Sequence, residues 1–84
     1  MSTWEKLLDR IYCLSNDIRF QEITKVLKAY GYTKTNPSGG SSHYTFRKPG
    51  KPPITIPKHE PIKKVYIKII KQMLESEEND ENNH

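Results

Sequence analysis

The chain holds a single cysteine, Cys13, among its 84 residues, so no intrachain disulfide can form and a reducing compartment is the expected setting. Cys13 falls on the flank of a predicted amphipathic helix, where a half-buried, inert thiol is expected. No apolar run approaches the roughly 20 residues that a bilayer crossing needs. The start, Met1-Ser2-Thr3-Trp4-Glu5, lacks the basic residues and apolar stretch of a signal peptide. A soluble, cytoplasmic protein without a membrane partner is expected. No Cys/His set has zinc spacing, no GxxxxGK[ST] segment is present, and no G-x-S-x-G elbow supports a serine hydrolase. Neither a metal nor another cofactor is expected.

Acids are scarce until the end of the chain. Glu75, Glu77, Glu78, Asp80 and Glu81 hold half of the ten Asp and Glu. The remaining five stand against all fourteen Lys and Arg, which leaves residues 1–74 at a charge of +9. That imbalance makes nucleic acid the first partner to consider, with a merely solvated surface as the plain alternative. Only 33% of the residues are hydrophobic, so the expectation is one small domain, residues 1–74, followed by an acidic, disordered tail at 75–84.

Hydrophobic periodicity then orders the elements. Ser2 and Glu5 have the spacing of a capping box, and Trp4, Leu7, Leu8, Ile11 and Leu14 share a face, predicting a helix over 3–14. Phe20, Ile23, Leu27 and Tyr30 mark a second helix from about Ile18 to Tyr30, stopped by Gly31. Tyr32–Thr35, His43–Arg47 and Ile54–Ile56 read as three short strands with turns at Asn36–Gly40 and Pro49–Pro53. A last helix from Pro61 is expected to turn Ile62, Val65, Tyr66, Ile69, Ile70 and Met73 inward and Lys64, Lys68 and Lys71 to solvent. The predicted class is α+β: a three-stranded antiparallel sheet with helices packed on one face.

The densest segment is Gly39-Gly40-Ser41-Ser42-His43-Tyr44-Thr45-Phe46-Arg47. Strand alternation puts Tyr44 and Phe46 on one side and His43, Thr45 and Arg47 on the other. With the aromatics in the core, an imidazole suited to proton transfer and a guanidinium suited to phosphate point outward together. Arg47, Lys34, Lys48, Lys51, Lys58, Lys63 and Lys64 are candidate phosphate contacts, each with solvation as its alternative. The backbone amides of Gly40, Ser41 and Ser42 are further candidates, unless that segment simply turns the chain. His59 is a second candidate acid or base, its preferred alternative being a backbone contact at the strand–helix junction.

From Phe20 to Leu74 the chain resembles the HicA toxin family. The resemblance is carried by Leu27-Lys28-Ala29-Tyr30-Gly31-Tyr32, then Gly40-Ser41-Ser42-His43-Tyr44-Thr45-Phe46, then Ile54-Thr55-Ile56-Pro57-Lys58-His59, and finally Ile69-Ile70-Lys71-Gln72. The family core is expected over about 18–74, with the N-terminal helix as an addition. Compared with the usual pattern, a second serine stands between glycine and His43, and Val65-Tyr66-Ile67 replaces a common Gly-Thr-Leu.

The resemblance implies a fold like that of double-stranded-RNA-binding domains and an endoribonuclease that cuts mRNA. It also implies a HicB-like protein antitoxin, with the toxin monomeric alone and assembled into a larger complex with that partner. His43 becomes the expected catalytic residue. RNA carries its own nucleophile, the 2′-hydroxyl, so a base that removes its proton can start scission without a metal. A non-catalytic RNA-binding module of the same fold is the alternative, and a protein-interaction domain with an acidic partner is a third.

Overall fold

Both leading helices end in the same way, and their ends set the connections that follow. The computed structural model describes residues 2–36 and 42–82. Helix α1 covers Thr3–Tyr12, with the Ser2 hydroxyl accepting the Glu5 N–H at 3.1 Å. It stops before the expected Leu14 because Leu14 turns left-handed, φ 54°. Ser15 N–H then reaches the Arg10 carbonyl at 2.9 Å, and Leu14 N–H reaches that of Ile11 at 3.0 Å, a Schellman closure. Cys13, outside the helix at this cap, is exposed rather than half-buried as expected.

Helix α2 covers Phe20–Ala29. Its closure repeats the pattern, with Gly31 at φ +94°, Gly31 N–H on Lys28 O and Tyr32 N–H on Leu27 O, both at 3.0 Å. Here the left-handed position carries the glycine that the sequence led one to expect. The helix starts two residues after Ile18, which is buried in the connection and uses its carbonyl elsewhere.

Strands β1 (Thr33–Thr35), β2 (His43–Arg47) and β3 (Ile54–Pro57) form the expected antiparallel meander, in the order β1-β2-β3. Thr45 lies opposite Thr35 on one side and Thr55 on the other. Phe46, Ile54 and Ile56 are buried with Leu7, Ile11, Ile23, Val26 and Leu27 in a single core, and the Tyr44 and Phe20 rings meet at 5.1 Å. The opposite sheet face is rich in hydroxyls: Thr45 lies between His43 and Arg47 on β2, flanked by Thr35 and Thr55, and Thr33 stands opposite Arg47. The architecture is therefore α+β, an open three-stranded sheet with helices on one side.

Helix α3 runs Lys64–Asn82 and departs from expectation in two respects. It buries Ile67, Ile70, Met73 and Leu74, whereas Val65 is 57% and Ile69 36% exposed. Apolar residues at 65, 66, 67, 69 and 70 surround the helix, so periodicity alone cannot choose the inward stripe; contact with α1 and the sheet chooses it. The helix also continues past Glu75, where a disordered tail was expected. Buried Leu74 anchors it, Lys48 pairs with Glu77 at 2.7 Å, and Tyr12 donates to Glu78 at 3.1 Å.

Candidate functional site

His43 opens β2 directly opposite Pro57 of β3. The pairing extends one step further, since Lys58 N–H donates to the Ser42 carbonyl at 2.8 Å. Beyond Pro57, which has no N–H to continue a ladder, the chain folds back, with His59 N–H on the Pro57 carbonyl at 2.9 Å.

Two long-range bonds then fix this turn against the start of α2. A Glu60 carboxylate oxygen accepts the Phe20 N–H at 3.1 Å, satisfying an amide of the first helical turn. Ile62 N–H donates to the Ile18 carbonyl at 2.9 Å, and the Ile62 side chain is buried. Residues 57–63 are thus held as a brace beside the head of β2.

Between brace, strand and the first turn of α3 lies a cleft of about 240 Å³. Ser42, His43, Pro57, Lys58, His59, Ile62, Lys63 and Tyr66 line it. Two histidines and two lysines therefore line one concavity, and among the described residues no Asp or Glu lines it. Glu60, adjacent in sequence, turns instead to the amide of α2. Such a set can hold a phosphate and pass protons at its oxygens. Among the described residues, no group of three His, Cys, Asp or Glu is placed to hold a metal ion.

The other candidates are dispersed. Arg47 shares the sheet face with His43 but stands at the opposite end of β2, about 14 Å along the strand at the usual rise per residue. There it lines a separate hollow with Lys48 and Lys51. Lys48 is engaged by Glu77, and Lys34 lies on the helix side of the sheet, its ammonium 5.3 Å from the Tyr44 ring centre. Lys64 is exposed at the start of α3 and does not line the cleft. Gly40 and Ser41 lie outside the described residues. His59 stands at the strand–helix junction, where its main-chain N–H makes the turn, and the same residue lines the cleft. Tyr66 packs against the core, as its place in the apolar stripe leads one to expect, and it also lines the cleft, which periodicity does not signal.

A family model, the HicA toxin of bacterial toxin–antitoxin pairs, matches residues 20–75. The chain belongs to the HicA toxin family. No curated protein and no solved structure matches it. As a HicA toxin it has an antitoxin as its partner. The matched span contains every residue of the histidine cleft and leaves out α1 and the last turns of α3. Among the described residues no helix is long and apolar enough to cross a membrane.

Proposed function

We propose that this HicA toxin is an endoribonuclease that cuts mRNA at the cleft of His43 without a metal. His43 is the general base: it takes the proton of a ribose 2′-hydroxyl, whose oxygen attacks the adjacent phosphorus. The bond from phosphorus to the 5′-oxygen breaks, and His59 as general acid protonates that leaving oxygen. The products are a 2′,3′-cyclic phosphate and a 5′-hydroxyl, and the two histidines end in exchanged protonation states that solvent resets. Lys58 and Lys63 neutralise the phosphate, with Ser42 beside it. In the cytoplasm, an antitoxin of the HicB kind covers this cleft, and the monomeric toxin enters a larger complex with it.

The observation that carries the reading is that His43 and His59 line one cleft where, among the described residues, no carboxylate stands. A module that only binds RNA has no use for paired imidazoles, whereas cleavage needs a base on one side of the phosphorus and an acid on the other.

The test is cleavage of a single-stranded RNA by purified toxin in the presence of EDTA. His43→Ala should slow cleavage by roughly 10²–10⁴-fold while leaving RNA affinity and the fold intact. His59→Ala should likewise slow cleavage by roughly 10²–10⁴-fold, with RNA affinity and the fold retained. A folded His43→Ala protein that cuts at the wild-type rate would exclude the assignment; binding without any cleavage by the wild-type chain would establish the non-catalytic module.

A further inference from the structure

Tyr66 is the aromatic side chain of the histidine cleft. It stands in the first turn of α3, where its N–H donates to the Lys63 carbonyl at 3.0 Å. Its half-buried side chain packs against the core and also lines the cleft beside both histidines. The ring is thus held in place before any ligand arrives, so little freedom is lost when a flat group settles on it. The other tyrosine near the head of β2 is already engaged: Tyr44 meets the Phe20 ring at 5.1 Å and the Lys34 ammonium at 5.3 Å. Among the described residues, no second ring and no cation stacks on Tyr66.

The surroundings match a nucleotide. Pro57 and Ile62 add apolar surface to the cleft, while the ammoniums of Lys58 and Lys63 supply charge for a phosphate. A base with its own phosphate presents these two chemistries in one unit: a flat apolar face and an anion. Every base has such a face, so stacking tolerates sequence, but the face must be free of its neighbours. In a duplex both faces are covered by adjacent pairs, and only an unstacked base can enter a concavity of this kind.

We infer that Tyr66 is a stacking platform for a base flanking the scissile phosphate, and that it confines this toxin to single-stranded RNA. The inference rests on the RNA-cleavage reading and adds the substrate's strandedness and the residue that reads it.

Binding is measured by fluorescence anisotropy with a labelled single-stranded RNA, in a His43→Ala background that prevents cutting. Tyr66→Leu keeps apolar bulk and removes the π face; it should weaken binding by roughly 5- to 150-fold. Tyr66→Phe should restore the affinity, because the hydroxyl has no part in stacking. A second series leaves the protein unchanged and moves one abasic nucleotide along the strand. One position should cost a comparable factor with Tyr66 present and nothing further with Tyr66→Leu, and a full duplex should bind more weakly than the single strand. Equal affinity of folded Tyr66 and Tyr66→Leu proteins overturns the inference. So does indifference to the abasic position, which decides the matter should Tyr66→Leu fail to fold. Loss of stacking alone would leave cleavage at His43 standing, whereas a wild-type chain that stacks RNA but never cuts it would remove the nuclease reading alone.

Discussion

Lys48, the residue after β2, donates from Nζ to the Glu77 carboxylate at 2.7 Å, and the same ammonium stands 5.7 Å from the centre of the Tyr32 ring. The pair joins the sheet to the far half of α3, with the two side chains only 25% and 14% exposed. One cation that the sequence offered to RNA is therefore committed to tertiary structure. One acid that the sequence assigned to a loose tail is part of the fold. Tyr32 registers the same environment: burial raises its phenol above the ordinary value, and the charge of Glu77 adds to the effect.

Glu77→Gln should lower stability by about 1–2 kcal/mol, between the values typical of exposed and of buried pairs, because Lys48 is left half-covered without its counter-charge. Thermal unfolding reads this as a melting temperature lower by roughly 4–8 °C per kcal/mol for a domain of this size. An unchanged melting temperature would mean that the pair contributes nothing and that Leu74 alone anchors the helix.

Salt dependence separates the two groups of cations. Each phosphate neutralised on a single strand contributes about 0.7 to the slope of log affinity against log salt. Replacing Lys58 and Lys63 together with Ala should reduce that slope by roughly 1.4. Replacing Lys34 and Lys48 should leave it as it was, since one lies over Tyr44 and the other is held by Glu77. A larger change from the second pair would place the RNA on the opposite end of the sheet.

Arg10 makes α1 part of the domain although the family match begins only at Phe20. Its guanidinium donates to Glu22 at 2.6 Å and to Asp17 at 3.1 Å. Burial pushes the Glu22 carboxyl up, but the Arg10 hydrogen bond and the Arg19 N–H outweigh it and hold the group below its ordinary value. A hydrogen bond from Ser15, then the Arg10 contact, lowers Asp17. Carboxyl groups lowered by folding stabilise the native state fully above their unfolded values, about 4, and lose that contribution as pH falls through the folded ones. Arg10→Ala should therefore lower the melting temperature near neutral pH, with the gap to the wild type closing as the solution is acidified. A gap that stays constant with pH would assign the loss to packing instead.

Local signals determined most of the elements. Alternation in His43–Arg47 sorted core from open face, Gly31 closed α2, and the Ser2 cap opened α1, because each depends on residues within one turn or one strand. The expected sheet order and helix number followed from short connections that leave little choice of neighbour. Four features were decided only by tertiary contact. Leu14 took the left-handed position that no glycine advertised, because its side chain packs against the core from there. The inward stripe of α3 was settled by α1 and the sheet, since its apolar residues circle the helix. Lys48 found Glu77 across 29 positions of sequence. Most consequential, His59 and Tyr66 came to His43 because Glu60 reaches the Phe20 amide 40 residues away and Ile62 bonds to Ile18. Periodicity describes which side of its own element a residue occupies; it contains no term for the long-range bonds that bring two elements' faces to one cleft.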